Sequence, residues 1–176
     1  MKFETKNYIL RTLTTGDATE RYLSWLKDDD ISRTLEVDGQ RQTLETIRDF
    51  IVKHDNKTSF LFGIFTKNGT HIGTHSFNFY PKHKLATVGV MIGDKSYWGK
   101  AVPLETRAQI LNWAFEELDC NKIEAGCFSI NFPAIYNFKR QHWKLEGVRK
   151  KNRIIDGESV DMVLFGMMKK DWYEQR

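Results

Sequence analysis

The sequence has little of what staples or interrupts a chain: two cysteines and three prolines in 176 residues. Cys120 and Cys127 stand near either end of a predicted strand, "KIEAGCF", at a spacing that suits neither a disulfide framework nor a paired zinc knuckle. Both are expected to be reduced, structural thiols, and no metal is expected. No apolar run approaches the roughly 20 residues needed to span a bilayer, which excludes a helical membrane protein. The opening residues, "MKFETKNYILRTL", carry charges where a secretory signal needs an apolar core, so a cytoplasmic location is expected. Internal repeats, low-complexity segments and a linker are all missing, and the length is that of one domain with a substantial core.

A strong charge bias is also missing. The formal net charge is +4, spread along the chain with one denser cluster, "GVRKKNRIIDG". Nucleic-acid binding usually needs a concentrated basic stripe or a recognisable module, and this cluster reads as a solvated hairpin. The expected partners are small molecules; nucleic acid and membrane are not among them. A monomer or a homodimer is expected.

What is present is periodicity. "NYILRTLT", Asn7 to Thr14, alternates as a first strand. In "TTGDATERYLSWLKDDD" Asp17 is a plausible N-cap, with Ala18, Tyr22, Trp25 and Leu26 on one helical face. In "TLETIRDFIVKHD" Thr43 caps, and Leu44, Ile47, Phe50 and Ile51 face inward. "SFLFGIFTKNGTHIGTHSFNFY" reads as a hairpin with a type I′ turn at Asn68-Gly69, and "KLATVGVMIGD" extends it to a three-stranded meander. "PLETRAQILNWAFEEL" is the strongest helix: Pro103 suits its first position, and Leu104, Ala108, Leu111, Ala114, Phe115 and Leu118 form its apolar face. A strand, a short helix from near Pro133, and a hairpin around Asp156-Gly157 complete an α+β order.

Four phrases, "IGDKSYWGK", "LNWAFEEL", "NKIEAGCFSIN" and "HWKLEGVRKK", resemble the GNAT superfamily of N-acetyltransferases. The resembling branch includes ribosomal-protein N-terminal acetyltransferases and the amino-sugar acetyltransferases of surface-polysaccharide synthesis. The resemblance implies a single acetyltransferase domain over 1–176. Its sheet would be mixed, mostly antiparallel and twisted, with a splayed central strand pair and helices on both faces. It implies acetyl-CoA as co-substrate and transfer to a primary amine by direct attack. The acceptor would be an amino sugar, free or nucleotide-linked, with a protein N-terminus or a small polyamine as alternatives. A domain that binds acyl-CoA without catalysis is a further alternative.

The same resemblance places the coenzyme against Val90, Met91 and Ile92 of the splayed strand and against the turn Trp98, Gly99, Lys100, Ala101, Val102. The amides of Leu104 and Glu105 and the side chain of Asn131 would complete its site. Ala101 and Pro103 depart from the family's Gly-containing pattern, Thr87 stands where the branch has a glutamate, and Phe138 where many members have a tyrosine. Acetyl transfer to an amine needs a proton acceptor and a proton path to the departing thiolate. His75 and Ser76, on a strand that commonly faces the acceptor cleft, and Tyr136 are the catalytic candidates. Tyr136 lies two residues before Phe138, a rotation of about 200° on a helix. Glu105 as a first-turn acid, Glu146, and the aromatics Tyr22, Trp25, Phe77, Phe79 and Trp143 read more simply as structural.

Overall fold

The computed structural model describes residues 1–35 and 37–175. The chain opens with two short strands, β1 (Lys2–Glu4) and β2 (Tyr8–Thr12), then three helices, α1 (Glu20–Leu26), α2 (Asp29–Ser32) and α3 (Leu44–Val52). Three strands follow, β3 (Ser59–Thr66), β4 (His71–Tyr80) and β5 (Leu85–Ile92), then the 16-residue helix α4 (Val102–Glu117). The remainder is β6 (Lys122–Phe128), α5 (Phe132–Arg140), β7 (Lys144–Ile155), β8 (Glu158–Met168) and α6 (Lys169–Glu174). All eight strands join one sheet in the order β1-β2-β3-β4-β5-β6-β8-β7. Every pairing is antiparallel except β5 with β6, which are joined through α4 as a strand-helix-strand crossover.

That parallel pair is short. β5 and β6 are paired only at Leu85–Thr87 against Lys122–Glu124. β5 stays paired with β4 up to Ile92, and β6 with β8 up to Phe128. Beyond Thr87 the backbone groups of β5 on its β6 side therefore have no strand partner, and a gap opens in the middle of the sheet.

Strand alternation divides the apolar side chains between the faces. Phe60, Phe62, Ile64, Phe77, Ala86 and Ile123 pack with α4, around Trp113, whose ring centroid lies 5.0 Å from Phe60 and 5.2 Å from Phe77. Leu61, Phe65 and Met91 pack on the other face with Tyr22, Trp25, Ile47 and Ile51. Gly93, just past β5, admits no side chain: a Cβ there would lie about 2.0 Å from the Trp25 ring. Trp25, Phe77 and Trp143 are core residues and Phe79 packs against the core; of the five aromatics singled out only Tyr22 borders a cavity.

Several local expectations are corrected. The first strand is Tyr8–Thr12, not Asn7–Thr14, and β1 precedes it. Asp17 does not cap α1; its carboxylate is held by Arg11 at 2.6 Å and by the Thr14 amide at 2.8 Å, and Thr19 caps the helix by accepting from the Tyr22 amide. The Asn68-Gly69 turn is not type I′, because only Gly69 has positive φ; Gly69 donates to Thr66 O at 3.0 Å, a type I turn closed by a left-handed glycine. The Asp156-Gly157 turn does have positive φ at both residues, +52° and +81°. Phe50 is exposed at the rim of a cavity, while Ile47 and Ile51 carry the buried face of α3. Pro103 is the second helical residue, one later than expected. α4 buries more than the predicted stripe: Thr106 faces His75 of β4, Arg107 is covered by α5, and Trp172 of α6 donates to Asn112 Oδ1 at 2.8 Å.

Candidate active site

The turn after β5 is anchored at its start. Trp98 donates its indole N–H to Ile92 O at 2.8 Å, which ties the loop to the end of the gap strand. Gly99 then takes φ +76° and Ala101 φ +57°, left-handed positions on either side of Lys100. Along this path the amides of Gly99, Ala101 and Val102 have no acceptor among the described residues. Three unclaimed N–H groups at the positive end of a long helix form an anion-binding concavity, and they fit a pyrophosphate without any side chain. Pro103 costs this arrangement little, since the first amides of a helix have no intrahelical partner in any case.

Other expected contributions are spent elsewhere. The amides of Leu104 and Glu105 both donate to Ala101 O, at 3.0 and 3.4 Å, and so do not reach the loop. The Glu105 carboxylate accepts from Thr5 Oγ1 at 2.6 Å and from the Asn7 amide at 2.7 Å, binding α4 to the β1–β2 connection. Lys100 lays its ammonium over the Tyr97 ring at 4.8 Å, and the Val102 side chain is wholly buried in the core.

Two cavities open along the gap. The outer one, about 500 Å³, runs along Val90, Met91 and Ile92, under Trp98, Gly99 and Ala101, and across to Asn131 and Tyr136 on the α5 side. Arg33 and Arg140 also line it, two cations that sequence patterning did not single out. The inner one, about 360 Å³, shares Thr34, Val90, Met91, Pro103, Asn131 and Asn137 with the outer and continues through the sheet to Phe50, Thr74 and Ser76. Asn131 sits where the two meet because it caps α5, its Oδ1 accepting from the Ala134 amide at 3.1 Å.

The three catalytic candidates are thus dispersed. Ser76 borders the inner cavity, and Tyr136, exposed, borders the outer. His75 is wholly buried on the opposite face of β4. Its Nδ1 faces Gly89 O at 3.1 Å and its Nε2 faces Thr106 Oγ1 at 2.8 Å. A neutral ring donates from Nδ1 to the Gly89 carbonyl, and the Thr106 hydroxyl, 2.8 Å from both Nε2 and Val102 O, has one proton to share between those two acceptors. Burial, with the Arg107 charge adding to it, pushes its pKa down to about 3. His75 therefore cannot take up a proton near neutrality, and what it does is hold Gly89 of the gap strand to α4. Strand alternation alone could have flagged this: His75 shares a face with Phe77, two residues on and buried against α4.

Sequence patterning also missed Arg107, which borders the inner cavity, and Asn137, which borders both. Phe138, at the position where many relatives have a tyrosine, is buried and offers no hydroxyl.

This geometry, a gap strand followed by an amide-lined turn at a helix start, can be set beside known proteins. The family model described as "Acetyltransferase (GNAT) domain" matches residues 7–141. The probable N-acetyltransferase YjcK of Bacillus subtilis (strain 168) is 28% identical over 138 residues, 77% of this chain and 74% of that protein. The solved ribosomal-protein-S5-alanine acetyltransferase of Vibrio fischeri superposes with a TM-score of 0.78 over 98% of each chain, at 21% identity. The spermidine N-acetyltransferase of Vibrio cholerae, solved with CoA and spermine, gives 0.85 over 94% of this chain and 98% of its own, at 17% identity. Among the described residues no helix is long and apolar enough to cross a membrane. The chain belongs to the GNAT family and is an N-acetyltransferase whose acyl donor is acetyl-CoA.

Proposed function

We propose that the chain transfers acetyl by direct attack to a primary amine carried on a hydroxyl-rich acceptor, an amino sugar, free or nucleotide-linked. One observation carries the choice of acceptor. The inner cavity is lined by Thr34, Thr74, Ser76, Asn131 and Asn137 with the Phe50 ring at its rim, and no carboxylate lines it among the described residues. Hydroxyls and amides match the donors and acceptors of a sugar, and an exposed aromatic suits a sugar face.

Acetyl-CoA, when bound, supplies the activated thioester. The amides of Gly99, Ala101 and Val102 hold the pyrophosphate, Arg33 and Arg140 add charge at the mouth, and the unpaired backbone of β5 receives the pantetheine arm. Holding both reactants across one gap removes the need for a protein nucleophile. With His75 buried, the amine's proton leaves through water ordered by Ser76 and Thr74. Tyr136 serves the outer cavity as a contact to the coenzyme. The compartment is the cytoplasm, a reading that the two free thiols support.

The test is a release-of-CoA assay on purified protein with three acceptors: a nucleotide-linked amino sugar, an N-terminal peptide and spermidine. The amino sugar is expected to give the highest kcat/KM, by at least about tenfold, which is 1.4 kcal/mol of transition-state binding. Preference for spermidine or the peptide would replace the acceptor while leaving the coenzyme site intact.

A further inference from the structure

Arg107 is the charged side chain buried in the described core, 2% exposed. It rises from the second turn of α4 and crosses to α5. Its Nε donates to Gln141 Oε1 at 2.6 Å and its Nη2 to Asn137 O at 3.3 Å. Gln141 is itself fixed, donating to Leu104 O at 2.6 Å. The guanidinium lies over the Phe138 ring at 4.4 Å and is 5.3 Å from Trp143. No carboxylate pairs with it among the described residues, and Nη1 has no acceptor there.

A buried guanidinium loses several kcal/mol of hydration, which neutral oxygens and two rings recover only in part. Natural chains seldom keep such a charge without an anion to meet it. Here the charge borders the inner cavity beside the gap strand, so any anion that it meets is one that enters or forms in that cavity.

We infer that Arg107 receives the negative charge that develops on the coenzyme sulfur as the acetyl group leaves. The inference rests on the acetyl-CoA site described above. In the transfer the amine nitrogen bonds to the acetyl carbon, the carbon–sulfur bond breaks, and its electron pair stays on sulfur. The proton lost by the amine goes to water. Arg107 gives up no proton; it ion-pairs the thiolate until solvent protonates it. Phe138 supplies no proton in that region, and a fixed cation replaces the need for one by making the thiolate itself a good leaving group. The field is already felt by a resident sulfur: burial pushes the Cys127 thiol up to about 11, and Arg107 pulls against that push.

The experiment is an ultraviolet titration of the CoA thiol bound to the full chain, with binding of CoA and of desulfo-CoA measured in parallel by calorimetry. In the wild type the bound thiol is expected to ionise at least about one pH unit below free CoA, a tenfold change in proton affinity. Arg107→Met should return it to the free value or above while leaving desulfo-CoA affinity within about twofold, since the missing sulfur removes the interaction being tested; Arg107→Lys should fall between. A bound thiol that titrates at or above free CoA in the wild type overturns the inference without recourse to any variant. A wild-type chain that binds neither CoA nor desulfo-CoA overturns the coenzyme site, and this inference with it. Tight binding of both with no shift overturns this inference alone.

Discussion

Ala101 holds a left-handed conformation, φ +57° and ψ +19°, as the N-cap of α4, and its side chain makes no cap bond. A Cβ in that region costs about 1 to 2 kcal/mol relative to glycine. The strain buys the exposed amides of the loop, because the turn presents them only by alternating hand at Gly99 and Ala101. Ala101→Gly should therefore raise stability by about 1 kcal/mol, or the melting midpoint by about 2–4 °C, with the loop unchanged. A scanning calorimetry midpoint that falls instead would mean that the residue is unstrained. At this scale Trp98, Gly99 and Asn131 were expected through the resemblance, and they line the outer cavity. The burial of His75 and Arg107 was not, since which face of a strand or helix is buried depends on what packs over it.

Elements were easier to read than residues. α4 and the meander β3-β4-β5 follow from periodicity, and each lies where its pattern put it. α2 and α6 have four and six residues, too short to carry a period, and β1 has three. β4 shows what an element can hide, for it carries one wholly buried histidine, His75, and one half-buried histidine, His71. Burial pushes His71 down to about 4 and His75 down to about 3, from 6.5 in each case. Both folded values lie below the unfolded one, so the stability of the neutral, buried rings is complete above about pH 6.5 and is lost as pH falls toward 4 and 3. In that window the unfolded chain binds up to two more protons, a slope of up to about 2.7 kcal/mol per pH unit. Asp17 sits in a lower window: burial opposes its charge, but the Arg11 and Thr14 bonds hold it down to about 2. Urea midpoints from pH 7 to pH 4.5 should show the slope, and the double variant His71→Gln, His75→Gln should flatten it. A flat wild-type limb would contradict the burial of neutral rings.

For the whole molecule, the sheet and its gap were foreseen through a resemblance; periodicity alone did not reveal them. No alternation of side chains reports that β5 and β6 part company after Thr87, because divergence is set by what the strands' far neighbours do. The gap has a consequence in time. The outer cavity opens at its wide end, beside the start of α4, and the inner one reaches the α3 side at Phe50. On the proposed reading donor and acceptor approach through different doors, and neither must depart for the other to arrive. Cys127, the thiol in reach, is too weakly acidic to carry an acetyl group between visits. Initial-velocity plots against both substrates should intersect, as they do when both must be present together. A family of parallel lines would mean that some side chain takes the acetyl group first and hands it on after the coenzyme has gone.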